Sequence, residues 1–320
     1  MRKEVTATKK YWFVWNEELN NPCAFDAFLF NDPGHLALQP SKNRHSYYLI
    51  KKHDEVIYAR CTFFIEGGIA YSPYKSSFGS IEFSDKVFFE LLEEFWDLVE
   101  EDLKAKGAKE IMIKNYPVCY HPGHAQVLSY LFSTKGFSIK TQELNFHIEV
   151  DERGFEEKVH ENERKKLNKC LKKHYVFKEE KVLDLNKVHT FIASSRNRKS
   201  YPTTLTKNEL EILLKRFPER FAVFTISLDN RWAALCVLIK VNKAVLYTFY
   251  GADGESFLKD SPLVLLHLHL YDWARENKFS IIDLGIGSAV GIPNKGLIRF
   301  KEKIGGKGGV KLVLEKNHYV

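Results

Sequence analysis

Residues 245–285 read VLYTFYGADGESFLKDSPLVLLHLHLYDWARENKFSIIDLG, and the order of residue types in this stretch decides the fold class. Val245 to Tyr250 is a run of apolar, β-branched and aromatic residues between Asn242-Lys243 and Gly251, which predicts a strand. Ser261-Pro262 then opens a helix: serine can accept from the orphan N–H groups of a first turn, and proline suits the first helical position because the N–H it lacks would be unpaired there anyway. Leu263, Leu266, Leu270, Trp273 and Ala274 leave this helix apolar nearly all round, so it is expected to be deeply packed. Ile281 to Leu284 is a second strand. Two strands joined through a helix make a parallel crossover, the unit of a mixed α/β sheet.

Working outward, Phe221 to Ser227 and Trp232 to Lys240 read as strands separated by Asp229-Asn230. Before them Thr206-Lys207-Asn208-Glu209 is a capping box that opens a helix to Phe217, preceded by a helix near Asn186 to Ser194 and a strand from Tyr175 to Lys178. Phe155 to His174 predicts one basic amphipathic helix joining two parts of the chain. After Leu284 come a short helix from Lys295 to Lys303, a mobile loop at Gly305 to Gly309 and a last strand from Val310 to Leu314. In the N-terminal half, strands at Tyr47 to Ile50, Val56 to Ile65 and Ile69 to Tyr71 lead into a helix from Ser84-Asp85 to Lys106, with Phe88, Leu91, Leu92, Phe95, Val99 and Leu103 at helical spacing. A strand (Glu110 to Lys114), a helix (about His124 to Thr134) and a strand (Leu144 to Val150) follow. The two halves repeat an order of elements without residue-level similarity.

With 320 residues the chain is long enough for two domains, and 44% hydrophobic residues with 24 Phe and 15 Tyr exclude wholesale disorder. Its longest apolar runs fall short of a bilayer span, and Met1-Arg2-Lys3-Glu4 starts no apolar signal region, so a cytoplasmic location is expected. Cys23, Cys61, Cys119, Cys170 and Cys236 are dispersed with no CxxC, which argues against zinc and against a disulfide framework. The net charge of +7 concentrates between Arg164 and Lys178, where seven basic residues occur without an acidic one, and again from Lys295 to Lys311. Such a stretch suits an anionic partner such as phosphate, nucleotide or RNA, or is a solvated helix face.

The order of elements, with Tyr247-Thr248-Phe249-Tyr250-Gly251, Ser261-Pro262, Asp272-Trp273-Ala274, Asp283-Leu284-Gly285 and Phe300-Lys301-x-x-Ile304-Gly305 in sequence, resembles the GNAT acyltransferases. A tandem pair joined by a basic helix is similar to the Fem-type peptidyltransferases, which add amino acids to peptidoglycan precursors. The resemblance covers Phe155 to Leu314 well and the N-terminal half by element order and Tyr71-Ser-Pro-Tyr74. It implies two GNAT-like domains, 1–150 and 151–320, each a central mixed sheet flanked by helices whose fourth and fifth strands splay. It also implies transfer of an acyl or aminoacyl group to an amine acceptor, with acyl-CoA or aminoacyl-tRNA as donor and no permanently bound cofactor. Phe300 and Lys301 would line the transfer centre. The closing aromatic of that motif is Ile304 here, no glycine-rich pyrophosphate turn stands in 74–84 or 251–261, and no tyrosine lies between Tyr271 and Tyr319, departures that weaken ordinary CoA chemistry.

Acyl transfer needs a held carbonyl, a donor to its developing oxyanion and a route for the amine proton. The donor is expected along Gly251, Gly285 and the start of the Ser261 helix, whose free N–H groups either hold phosphate or are simply capped. Arg299 and Lys301 cannot share one helix direction, and the motif favours Lys301 for the cleft. Asp283 orients an amine or ties down the Gly285-x-Gly287 loop, and Tyr250 is a proton donor or a half-buried strand tyrosine. Arg196, Arg198 and Tyr201 suit an anionic acceptor or form a surface loop. Of His267 and His269 at most one reaches a cleft. His121-x-x-His124 brackets Pro122-Gly123 with no carboxylate or cysteine beside it, so no metal is expected. A non-catalytic module holding RNA or another polyanion on a degenerate GNAT fold, through the 164–178 stretch, is the competing function.

Overall fold

The computed structural model describes residues 1–182 and 184–317. The chain divides into two compact units, Met1–Glu143 with Gly309–Val320, and Leu144–Gly308.

The first unit contains β1 (Arg2–Glu4), β2 (Tyr11–Trp15), α1 (Pro33–Leu36), β3 (Arg44–Lys51), β4 (Ile57–Glu66), β5 (Ile69–Ser72), β6 (Glu82–Phe83), α2 (Phe89–Ala105), β7 (Glu110–Lys114), α3 (Pro122–Thr134) and the beginning of β8 (Ser138–Glu149). Its strands run in the order β1-β2-β3-β4-β5-β7, antiparallel except for the parallel β5–β7 pair. The apolar stripe of α2, Leu91, Phe95, Trp96, Val99 and Leu103, is fully buried and meets Phe13 and Phe63 ring to ring. This helix begins at Phe89 and not at Ser84, because Ser84 closes a turn instead. Its carbonyl accepts from the Val87 N–H at 2.9 Å and its hydroxyl from the Lys86 N–H at 3.3 Å, which sinks Val87 before the helix starts.

The second unit contains the end of β8, then α4 (Phe155–Lys158), α5 (Glu161–Leu171), β9 (Val176–Glu179), α6 (Leu185–Arg198), α7 (Lys207–Arg216), β10 (Phe221–Leu228), β11 (Arg231–Lys240), β12 (Val245–Asp253), α8 (Pro262–Glu276), β13 (Ile281–Ile286), the short pair β14 (Ser288–Ala289) and β15 (Ile292–Pro293), and α9 (Lys295–Lys303). The strand order is β8-β13-β12-β11-β10-β9, with only the β12–β13 pair parallel, as the crossover through α8 requires. Leu238, Leu246, Leu266, Leu270 and Ile282 belong to one core beneath it.

Three local expectations change. The basic helix expected over Phe155 to His174 is two helices, because the His160 N–H donates to the Lys303 carbonyl at 2.8 Å and Val159 is extended at that junction. Ser261 precedes α8 in a left-handed conformation (φ 59) and caps nothing with its side chain. The segment expected as a loop through Gly309 becomes strand from Lys307, the start of β16 (Lys307–Asn317). β16 follows α9 yet pairs antiparallel with β7, so the chain's end completes the first unit. Conversely β8, which follows α3, pairs with β13 in the second. The two strands exchange places.

Candidate functional site

Where β12 and β13 part, the second unit opens. Their parallel register covers Val245, Leu246 and Tyr247 opposite Ile281, Ile282 and Asp283, and stops there. Beyond it β12 continues to Asp253 with β11 alone, and the register slips by one residue at Phe249, a bulge that bends the strand away. On the other side β13 turns at Gly285, whose φ of 74 suits glycine; a Cβ there would also lie 3.2 Å from the Tyr247 ring.

That turn is held from three directions. The Asp283 carboxylate, 2% exposed, accepts from the Gly285 N–H at 2.7 Å and from Asn145 Nδ2 at 2.9 Å, while the Thr248 hydroxyl donates to the Asp283 carbonyl at 3.0 Å. Lys301, 6% exposed, reaches across from α9 and donates from Nζ to the carbonyls of Gly285 (2.9 Å) and Ile286 (2.7 Å). Burial pushes its amine down from 10.5 to about 8, with the negative Asp283 working the other way. The same burial, with Asp283 adding to it, pushes the Tyr247 phenol up. Of the residues sequence reasoning singled out, Asp283, Gly285 and Lys301 therefore converge on one turn. Asn145 and Thr248 join them unannounced: both are ordinary strand residues, 138 and 35 positions away from Asp283 in sequence.

Phe300 is half-buried and meets His267 of α8 edge-on, ring centroids 6.0 Å apart. His267 donates from Nδ1 to the Leu263 carbonyl at 2.7 Å, and burial, with Lys301 adding to it, keeps the imidazole on the neutral side. His269 instead stacks on Phe177. Arg299 is exposed, so of Arg299 and Lys301 only Lys301 is buried at this turn. Ser261 stands at the head of α8, and a Cβ on the exposed Gly251 would lie 3.9 Å from Leu263. Asp260, just before, is engaged by Lys173 Nζ (2.5 Å) and the Tyr175 hydroxyl (2.7 Å), which hold its carboxylate below the usual range.

The segment between α6 and α7 lies on the far reach of β12. The Tyr250 hydroxyl, buried, pairs with the Thr204 hydroxyl at 2.6 Å and accepts from the Leu205 N–H at 2.9 Å. Arg196 lies over the Tyr250 ring at 5.2 Å and donates to the Pro202 carbonyl. Tyr201 accepts from Asn294 Nδ2 at 2.8 Å, while Asn294 Oδ1 caps α9. Arg198 and Lys199 both engage Asp253, so the charge of Arg198 is taken up inside the unit. In α5, Lys165 and Lys166 pair with Glu161 and Glu163, and Arg164 donates to the carbonyls of Glu156 and Val159.

Among the described residues of the first unit no such opening occurs. Past Ser72 its own chain fills the place: the Gly79 N–H donates to the Lys114 carbonyl and the Ser80 N–H to the Ser72 hydroxyl, each at 3.0 Å. A Cβ on Gly79 would lie 2.7 Å from the Ser72 carbonyl carbon, so nothing larger than glycine passes there. Phe78 beside it is buried among Phe28, Phe30, Tyr116 and Tyr120.

Among known families, the acetyltransferase (GNAT) domain matches residues 158–302. A comparison with curated proteins finds no match. Among solved structures, FemX is similar with a TM-score of 0.71 at 13% identity, over 91% of this chain and 92% of that one. L-PGS from Bacillus licheniformis is similar with a TM-score of 0.56 at 12% identity, over 95% of each chain. A tandem GNAT protein from the clavulanic acid biosynthesis pathway gives 0.50 at 9% identity, over 89% of this chain and 86% of that one. No helix among the described residues is long and apolar enough to cross a membrane. Parted parallel strands, a bulge on one and a glycine turn on the other thus lie within residues 158–302, the stretch that matches the acetyltransferase (GNAT) domain, in a chain that shares the mixed α/β fold of FemX and of tandem GNAT proteins.

Proposed function

We propose that the second unit is an N-acyltransferase that takes its acyl donor where β12 and β13 part. The observation that carries this reading is the end of parallel pairing at Tyr247 and Asp283, with a buried lysine at the turn that follows. Backbone N–H groups of β12 beyond Tyr247 have no partner strand on the β13 side, which suits hydrogen bonds to an extended amide-bearing or ribose-bearing donor. The head of α8 supplies N–H groups for donor phosphate.

The amine nitrogen of the acceptor forms a bond to the donor carbonyl carbon, and the carbonyl π electrons move to oxygen. Collapse of that intermediate breaks the bond to the thiolate or ribose oxygen, which leaves with its electron pair and takes up the proton that the amine nitrogen gives up. Lys301 Nζ uses two hydrogens on the Gly285 and Ile286 carbonyls, which leaves a third for the oxyanion or the leaving group. Tyr250 holds the Thr204–Leu205 segment, so its part is to position the acceptor side; Arg196 and Tyr201 offer a cation and a ring there. Phe300 lines the wall next to Lys301. The pairing of Lys165 and Lys166 with Glu161 and Glu163 lowers the net charge that α5 offers to a polyanion.

The donor is found by thermal shift of the full chain with acetyl-CoA, longer acyl-CoA thioesters and aminoacyl-tRNA, followed by transfer assays with amine acceptors. A ligand at saturating concentration, 100 times its Kd, should stabilise the protein by about 2.7 kcal/mol. Stabilisation by none of these donors would overturn the reading.

A further inference from the structure

Tyr247 is the last residue of β12 that pairs with β13, and its side chain does not stay over its own strand. A Cβ on Gly285, just beyond its partner Asp283, would lie 3.2 Å from the Tyr247 ring and 3.5 Å from its hydroxyl. The phenol therefore leans across the gap where the strands part. Register fixes the face it occupies. Tyr247 stands opposite Ile239 and Tyr250 opposite Val237, and directly opposed residues share a face of the sheet. Leu238 and Leu246, which alternate with them, belong to the core that holds Leu266 and Leu270 of α8. Tyr247 thus shares with Tyr250 the face away from α8. That face carries Arg196 and the segment between α6 and α7, the acceptor side of the cleft.

Tyrosine hydroxyls in a folded interior normally find a partner. In the second unit Tyr175 donates to Asp260, Tyr201 accepts from Asn294, Tyr250 bonds Thr204 and Leu205, and Tyr271 donates to the Arg153 carbonyl. The Tyr247 hydroxyl has no hydrogen-bond partner among the described residues, and the residue is only partly buried. Packing against Gly285 accounts for the ring and leaves the oxygen without a structural task.

We propose that the Tyr247 hydroxyl is the proton relay of the acyl transfer, touching both the acceptor nitrogen and the leaving atom of the donor. This rests on the acyltransferase reading and adds the group that carries the amine proton. In the tetrahedral intermediate the nitrogen and the leaving sulfur or oxygen are bound to one carbon, so a single hydroxyl beside that carbon can reach both. The phenol oxygen takes the proton of the N–H bond as its own proton passes to the leaving atom. One N–H and one O–H bond break, and one phenol O–H and one S–H or alcohol O–H form. The electron pair of the cleaved C–S or C–O bond stays on the leaving atom, and the phenol ends as it began. No tyrosinate accumulates, in keeping with a phenol that burial and the neighbouring Asp283 hold in its protonated form. Tyr250, on the same face, has its hydroxyl engaged by Thr204 and Leu205.

The test is Tyr247→Phe in the full chain, which keeps the ring against Gly285 and removes only the oxygen. Steady-state transfer is followed from acetyl-CoA, longer acyl-CoA thioesters and alanyl-tRNA to hydroxylamine and to the terminal amine of a short peptide. With the donor that the wild type uses, kcat should fall roughly 10²- to 10³-fold, while both KM values and the thermal midpoint stay within about twofold of wild type. Tyr250→Phe, which frees the Thr204–Leu205 segment, should instead raise the KM of the amine more than it lowers kcat. A Tyr247→Phe variant with the kcat of wild type, or one altered in KM alone, overturns the relay and leaves the acyltransferase reading standing. A wild type that transfers nothing to either amine from any of these donors overturns both.

Discussion

Lys301 carries two opposed loads. Its ammonium satisfies the buried Gly285 carbonyl, which would otherwise cost about 1–3 kcal/mol, and the part-buried Ile286 carbonyl, yet its own desolvation is severe enough to bring its pKa from 10.5 to about 8. Lys301→Met removes both at once, so stability near neutral pH should change little. Turnover should fall by roughly 10²- to 10³-fold, the size of a lost oxyanion donor. The pH dependence separates the two roles. Because the folded pKa is depressed, the unfolded chain binds more protons than the native one between about 8 and 10.5, so this residue makes stability rise with pH across that window. Below it both states are protonated and the penalty is constant. Denaturant midpoints of the wild type and Lys301→Met should therefore separate between those pH values, the wild type gaining on the variant as pH rises. Parallel midpoints across that window would show that Lys301 is not buried as a charge. A structural lysine would show the stability effect and leave turnover intact.

At the scale of elements, what was legible is what local chemistry decides. Thr206 accepts from the Glu209 N–H while Glu209 reaches back to the Thr206 N–H at 2.8 Å, the reciprocal arrangement that its sequence spells out. Thr206→Ala should cost about 0.5–2 kcal/mol, measured by urea denaturation, because it removes the hydroxyl that accepts from the Glu209 N–H. The strands β10, β11 and β12 and the helices α8 and α9 follow apolar runs and turn residues in the same way. What failed did so through distant partners. Ser261 looks like a cap, but the chain enters α8 left-handed, and the stretch from Phe155 looks like one helix, but the end of α9 breaks it at His160. Within the site, Lys301 was legible from Phe300-Lys301, and Asp283 with Gly285 from their place at a strand end. Asn145 and Thr248 were not, because a hydrogen bond across a sheet leaves no spacing to read.

For the whole molecule, the two units share an order of elements and differ in what occupies the place after the fourth strand. In the second it is open and edged by Lys301; in the first the turn through Phe78 and Gly79 occupies it. The unit boundaries also depart from a simple cut near residue 150, because Gly309–Val320 belongs to the first unit. A chain ending at Gly308 should therefore lose stability in the first unit, whose β7 would be left without its antiparallel partner. Hydrogen exchange should show β7 amides losing protection, while the β10 to β12 amides keep theirs. Equal loss in both sets would mean that β16 is not a private part of the first unit.

The exchange of β8 and β16 has a further meaning for a chain made one residue at a time. On the ribosome, Met1–Glu143 emerges in full before the strand that must lie against β7, which is polymerised only after the whole second unit. Domains usually fold in the order in which they leave the exit tunnel. Here the first unit must wait with an unpaired strand edge until the second unit has been made, whereas the second unit finds its borrowed strand, β8, already waiting. The nascent chain thus completes its second half before its first, and the interval is when a holdase would have the most to protect.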